Sequence, residues 1–239
     1  SVGDNQISQK FITEKEKKGK ELGVLVKPYR LALAGTKALR RRIAELVKKT
    51  GHDGWIIQLP LPKGVNTQYI LNAVPENKDV DVLNQKSLGA LAVGRSKILP
   101  PVVAAVKTLL DSQKIDLNGK KVVILGAGRL VGRPVALWLL SQNLPFAVLT
   151  EESKDADVKL QKADVIISGV GKPGLINANM VSDGAIIIDA GTAMDTGTLR
   201  GDADYESLKS KEGWLSPVPG GVGPLTVAHV FKNLATLAS

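Results

Sequence analysis

The sequence predicts an α/β protein of two domains, the second built on a doubly wound parallel sheet. Three observations predict it. The chain has 239 residues, more than one ordinary domain needs. Short apolar, β-rich runs alternate with helical segments. A glycine-rich turn, Gly126-Ala127-Gly128-Arg129-Leu130-Val131-Gly132, sits where a strand gives way to a helix.

Taken in order, Gln6 to Leu22 predicts an amphipathic helix, with Ile7, Phe11 and Ile12 at helical spacing and Gly23 as its stop. Val24–Val26 predicts a short strand, Gly35–Lys49 a basic helix, and Gly54–Gln58 a buried strand. That strand ends at Leu59-Pro60-Leu61-Pro62, because proline donates no ladder hydrogen bond. The alternation reads as a small α/β domain with parallel strands. Val65–Ala73 predicts a helix, Pro75–Leu83 a polar loop, and Val102–Leu110 a helix leading into the second domain.

There the pattern sharpens. A strand over Lys120–Leu125, the glycine turn, a helix over Pro134–Ser141 and a strand over Phe146–Thr150 make a βαβ unit. Apolar strands at Val165–Ser168 and Ala185–Asp189 extend it into a Rossmann-type sheet. Pro217 to Pro224 is too stiff and glycine-rich for a strand or helix, which predicts a shaped loop of the kind that often binds ligands.

Composition narrows the chemistry. Apolar residues at 44% and charged residues at 23% are the mix of a core-forming globular chain, and no apolar run reaches membrane length. With no cysteine and only His52 and His229, thiolate chemistry and a Cys- or His-rich metal site are excluded, and no metal is expected. His229, in the last helix, reads as structural. The net charge of +9 favours anionic partners, but aromatics are only 4% and no nucleic-acid motif is present, so an anionic small substrate fits as well. No signal or transit pattern opens the sequence, which predicts a cytoplasmic protein.

Several residues carry candidate chemistry, each beside a plainer reading. Gly126, Gly128 and Gly132 suit a tight turn that lets a pyrophosphate approach a helix N-terminus, although strand-to-helix turns need such geometry without a ligand. Glu151, 25 residues beyond Gly126, stands near where an acid binds the ribose of NAD, or it is a solvated loop carboxylate like its neighbour Glu152. Ser8, Phe11 and Lys15 share one helix face, where Lys15 either reaches into a cleft or joins the solvated charges around it. Gln58, at the carboxyl end of a strand, is placed either for a ligand or for loop backbone. Asp79 and Asp81 are turn formers or half of a carboxylate pair.

The order of these segments resembles the bifunctional methylenetetrahydrofolate dehydrogenase/methenyltetrahydrofolate cyclohydrolase family over nearly the whole chain. The resemblance is carried by Val2-Gly3-Asp4 with Ser8 and Lys15, Asp53-Gly54 through Pro62, Lys78-Asp79-Val80-Asp81, the glycine turn with Arg133-Pro134, Gly171-Lys172-Pro173-Gly174, and Pro217 through Thr226. It implies a folate domain over 1–100 rejoined by the last helix (224–239), and an NAD(P)-binding domain over 101–223. It implies Lys15 as the cyclohydrolase lysine, Gln58 as its hydrogen-bonding partner and Asp81 as the carboxylate for the pterin. Ser8, Phe11, Pro219, Gly220 and Gly221 would contact the folate. Gly126, Gly128, Arg129, Leu130, Val131, Glu151, Ala190, Thr192 and Thr226 would hold the dinucleotide. A homodimer is implied, with no nucleic acid and no membrane as partner.

The sequence departs from the family pattern at several of these positions. Phe11 stands where a tyrosine is usual, Val82 where a glycine is usual, and Pro101-Val102-Val103 where Cys-Thr-Pro is usual. Ala127 and Gly128 replace Arg-Ser, and Glu151 replaces a serine, which removes partners for the extra phosphate of NADP and predicts NAD as the favoured cofactor. The family's opening helix and most of its first strand precede the first residue of this sequence. The expected activity is oxidation of methylenetetrahydrofolate followed by hydrolysis of the methenyl product to formyltetrahydrofolate. The alternatives are a monofunctional NAD-dependent dehydrogenase and a non-catalytic folate- or nucleotide-binding relative.

Overall fold

The computed structural model describes residues 1–3, 6–195 and 198–239 and divides into two compact units. The first comprises Ser1–Ala90, Arg95–Pro101 and Val227–Ser239; the second comprises Leu91–Gly94 and Val102–Thr226. Asp4 lies outside the described residues, as does the side chain of Ile7.

The first unit is built from helices α1 (Gln6–Glu21), α2 (Thr36–Lys49), α3 (Thr67–Leu71) and most of α4 (Gln85–Ala92). On α2, Leu39, Ile43 and Val47 recur every fourth residue, so all three fall on one buried face. Burying each stabilises the unit by about 1.5–3 kcal/mol. They pack against Trp55, Ile57, Ile70 and Val74. Lys48 and Lys49 close the helix where cations complement its dipole.

The strands expected at Val24–Val26 and Gly54–Gln58 do not form. Among the described residues this unit has only isolated parallel bridges, Val2 with Leu31 and Trp55 with Asp79. The physical reason is a missing neighbour: both segments line an apolar cavity of about 630 Å3, and an extended segment without an adjacent backbone makes no ladder. α4 was not anticipated, because Gln85-Lys86-Ser87-Leu88-Gly89-Ala90 is short and carries a mid-helix glycine. The loop expected at Pro75–Leu83 holds one 3₁₀ turn, Glu76–Lys78.

The second unit matches its prediction closely. After α5 (Pro101–Ser112) come β1 (Val122–Leu125), α6 (Gly132–Ser141), β2 (Phe146–Leu149), α7 (Ala156–Gln161), β3 (Val165–Ser168) and β4 (Ile186–Asp189). A short antiparallel pair, β5 (Ala193–Asp195) and β6 (Thr198–Arg200), α8 (Tyr205–Leu208) and β7 (Trp214–Leu215) follow, and α9 (Val222–Ala238) begins in this unit and continues as part of the first from Val227. The parallel sheet has the order β2-β1-β3-β4-β7. Every residue of β1 and β3 is buried, as expected for parallel strands covered on both faces. The strand order reverses beside β1, which places a ligand crevice at the carboxyl ends of β1 and β3. The loop expected through Pro224 is shorter than anticipated: α9 starts at Val222. Pro224 is accommodated because the first turn of a helix needs no backbone donor.

Candidate active site

The first unit gathers Lys15, Gln58 and Asp81. Helix α1 turns Ser8, Ile12 and Gly19 to its buried side, and Lys15 falls on that side, half-buried, while Glu14, Lys17 and Lys20 are exposed. Lys15 Nζ donates to Gln58 Oε1 at 2.9 Å. Gln58 Nε2 donates to the Leu59 carbonyl at 3.1 Å, which orients the amide so that its oxygen faces the lysine. Ser8 Oγ donates to the same carbonyl at 3.3 Å. Burial holds the Lys15 ammonium below the usual lysine range, opposed by the charge of Asp81. Burial likewise raises the Asp81 carboxyl, opposed by Lys15. The arrangement therefore presents a lysine made less basic by burial beside a carboxyl group whose charge holds it in place.

Asp81 is placed by its neighbours. Asp79 is 5% exposed, and its Oδ2 accepts from the Asn84 amide at 2.7 Å. Trp55 N donates to the Lys78 carbonyl at 2.7 Å, which ties the Gln58 segment to this turn. Val82, fully buried, has φ +57°, a conformation that a β-branched residue adopts only under strain. Phe11, one helical turn before Lys15, is half-buried and offers no hydroxyl.

The second unit builds its turn at the sheet's carboxyl edge. Gly126 has φ +88°, and its amide donates to the Leu149 carbonyl at 2.8 Å. A Cβ on Gly132 would lie 1.8 Å from the Gly126 carbonyl oxygen, so the turn and the start of α6 touch backbone to backbone. Around Gly128 the nearest atom to such a Cβ is 3.8 Å away, and the residue is exposed. A dinucleotide fits these residues: Gly126 and Gly132 close the turn, and Gly128 leaves its backbone open beside the start of α6. Arg129 and Val131 are half-buried, and Leu130 is exposed. Glu151 is exposed just beyond β2.

A family model described as the tetrahydrofolate dehydrogenase/cyclohydrolase catalytic domain matches residues 1–81. One described as the NAD(P)-binding domain of the same enzymes matches residues 100–239. The chain belongs to the tetrahydrofolate dehydrogenase/cyclohydrolase family. A bifunctional protein FolD of Staphylococcus aureus is 37% identical over 234 residues, covering 97% of this chain and 82% of that protein. The crystal structure of a bifunctional FolD from Campylobacter jejuni has a TM-score of 0.92 at 35% identity, covering 99% of this chain and 85% of the other. That of the Trypanosoma brucei enzyme, complexed with NADP cofactor and an inhibitor, has a TM-score of 0.89 at 28% identity, covering 99% and 84%.

The remaining positions that the family resemblance singled out lie in the second unit. Ala190 N donates to the Ser168 carbonyl at 2.8 Å, and Thr192 is exposed beyond it. Pro219 and Gly220 are exposed, Gly221 is buried, and the Gly221 amide closes the loop onto the Pro217 carbonyl at 2.8 Å. Thr226 Oγ1 donates to the Val222 carbonyl at 2.8 Å, so its proton is engaged within α9. Sequence reasoning missed the buried carboxylate of Asp202 and its hydroxyl partner Ser168, 2.6 Å apart. In Gly-Asp-Ala-Asp the residue looks like a turn former, and no signal in the sequence separates the two readings. It also missed Asn233, whose Nδ2 donates to the Val80 and Leu99 carbonyls and holds the segment before Asp81.

Proposed function

We propose that the chain oxidises 5,10-methylenetetrahydrofolate with a nicotinamide dinucleotide and hydrolyses the methenyl product to formyltetrahydrofolate, with Lys15 as the proton carrier of the second step. The observation that carries it is Lys15 held at 2.9 Å by Gln58 in reach of the Asp81 charge. When bound, the dinucleotide accepts hydride from the folate methylene carbon. The protein's part in that step is to position the two ligands, since direct hydride transfer needs no protein base.

Hydrolysis asks more of the side chains. Water adds to the methenyl carbon and must lose a proton, while a ring nitrogen must gain one as the ring opens. A Lys15 amine made less basic by burial takes the first and returns it. Gln58 Oε1 fixes the amine, and Asp81, raised by burial, bonds the polar edge of the pterin. The absence of a hydroxyl at Phe11 favours a weaker hydrolase than dehydrogenase, because nothing at that position orders the lysine from the preceding turn.

Within NAD(P) use, NAD is the preferred cofactor, and Glu151 is the reason. A carboxylate beyond β2 bonds ribose hydroxyls and repels a phosphate. The homodimeric state implied by the family belongs to the same proposal, as does a cytoplasmic location; among the described residues no helix is long and apolar enough to cross a membrane.

The test is direct. Purified protein given methylenetetrahydrofolate should reduce NAD faster than NADP, and no turnover with either cofactor would defeat the dehydrogenase reading. Glu151→Ser should shift the NADP-to-NAD ratio of kcat/KM upward by about tenfold, the effect of one removed charge repulsion. An unchanged ratio removes Glu151 from cofactor choice while leaving the activity itself in place. Sedimentation at micromolar protein reads the oligomeric state.

A further inference from the structure

Asp202 belongs to none of the chemistry described above, yet it is 0% exposed and accepts four hydrogen bonds. Its Oδ2 accepts from Ser168 Oγ at 2.6 Å and Val170 N at 2.8 Å. Its Oδ1 accepts from Gly171 N at 2.8 Å and Lys172 N at 2.7 Å. Three consecutive amides and a hydroxyl thus converge on one carboxylate, the donor pattern that elsewhere holds a bound anion. Here the anion is the chain's own. It fixes the end of β3 and the loop that follows.

That loop bears on the glycine turn. A Cβ on Gly169 would lie 2.3 Å from Val131 Cβ, so the chain at 169 is pressed against the residue that opens α6. The loop after β4 is tied into the same assembly. Asp189 Oδ1 accepts from Gly191 N at 2.9 Å, and its Oδ2 accepts from Ala203 N, beside Asp202, at 2.8 Å. Space for both carboxylates comes from two glycines. A Cβ on Gly191 would meet the Asp202 carboxylate at 2.2 Å, and one on Gly201 the Asp189 carboxylate at 2.1 Å. In the strand order, β2 lies on one side of β1, while β3 and β4 lie on the other. With the adenosine ribose at the β2 side and the pyrophosphate at the turn, the nicotinamide half extends toward the loops after β3 and β4.

We propose that Asp202 is a positioning residue for the dinucleotide, its carboxylate setting the 169–172 loop against the glycine turn as the wall beside the nicotinamide half. The proposal rests on the reading of this unit as an NAD(P) site. It acts by preorganisation: without the carboxylate, the loop must be ordered by the ligand itself, and affinity falls by that amount.

Asp202→Asn in the full-length chain is the test, because the amide keeps the shape but turns N–H groups toward the Val170 and Ser168 donors. NADH binding, followed by the change in its own fluorescence, should weaken by about tenfold, the scale of one lost hydrogen bond to a charged group. KM for NAD should rise by a similar factor with KM for the folate unchanged. Hydrolysis of the methenyl substrate, which uses no dinucleotide, reports separately on the first unit. A variant that unfolds at lower urea yet binds NADH with wild-type affinity while folded would reduce Asp202 to a structural role and overturn the proposal. If Asp202→Asn does not fold, Ser168→Ala decides, since it removes one donor of four. A two- to threefold weaker NADH affinity at an unchanged urea midpoint supports the proposal, and wild-type affinity overturns it. Failure of the wild-type protein to bind NADH at all would instead defeat the NAD(P) reading of the unit.

Discussion

Gly132→Ala adds one methyl group at the most crowded backbone crossing of the second unit. Its carbon would sit 1.8 Å from the Gly126 carbonyl oxygen and 2.8 Å from the Gly126 carbonyl carbon, where ordinary contacts run from 3.4 to 4 Å. Neither neighbour is a side chain that can rotate aside. The turn and the first turn of α6 must separate by about 1.5 Å, which places the change at the upper end of overpacking costs, about 3 kcal/mol. With a urea slope of about 2 kcal/mol per molar, the unfolding midpoint falls by about 1.5 M. Urea unfolding read by hydrogen exchange of the segment 122–141 measures it where the strain falls. Gly128→Ala is the matched comparison, since its added carbon meets only the Gly169 carbonyl at 3.8 Å. Its midpoint should move by less than about 0.25 M, within the range of harmless surface changes, while NADH affinity drops because the new methyl projects where a pyrophosphate approaches. A Gly132→Ala protein that unfolds with the wild-type midpoint would refute the claim that this glycine is required by packing. Unchanged NADH affinity in Gly128→Ala would refute the division of labour between the two.

Three further outcomes follow from the first unit. Lys15→Met should lower methenyl hydrolysis by at least about 100-fold while NADH binding is retained, and Lys15→Arg should not rescue it, because a guanidinium does not release its proton; rescue by arginine would make the role electrostatic rather than proton transfer. Gln58→Glu places a carboxylate beside the Lys15 ammonium, so the pH limb of hydrolysis that reports Lys15 should move upward by about one unit, and an unmoved limb would separate that limb from Lys15. Burial raises the Asp79 carboxyl to about 6, opposed by its bond from the Asn84 amide. Because the folded-state value lies above the unfolded one, Asp79 contributes stability that is fully present below about pH 4 and lost as the pH rises through 6. Asp79→Asn should therefore gain on the wild type by at most about 3 kcal/mol between pH 4 and 7, as read from urea midpoints at each pH, and a pH-independent difference would show that Asp79 is not titrating in this range.

What the sequence reveals depends on how local its cause is. β1, β3 and β4 were legible because strands buried on both faces read as uninterrupted apolar runs, Val122–Leu125 and Val165–Ser168 among them. The glycine turn was legible because its steric demand is met within seven residues. Val24–Val26 and Gly54–Gln58 carry equally suitable residues and still form no ladder, because a strand is a property of two backbones and the second is not written in the segment. Lys15 stood between these cases. Its face of α1 could be worked out from helical spacing, but the Gln58 amide that receives it is 43 residues away, and only the fold brings the two to 2.9 Å.

Asp189, Gly191, Gly201 and Asp202 show why some of the site had no local signature at all. Read alone, Asp189 is the last residue of a strand, and Gly191, Gly201 and Asp202 are ordinary turn formers. In the fold the requirement is reciprocal: the glycine after one carboxylate is bare because it faces the other carboxylate, and the converse holds for the glycine before the second. A requirement shared by four residues from the segments that flank β5 and β6 has an energetic consequence that a single substitution does not expose. Ser168 and Asp202 are in direct contact, so their effects on NADH affinity should fall short of adding when combined, because either change already frees part of the same loop. Glu151 lies beyond β2, on the far side of β1 from that loop, and the effect of Glu151→Ser on NADH affinity should add to either one. The pattern of additivity therefore distinguishes a loop held as one body from a set of independent contacts, which no individual variant does.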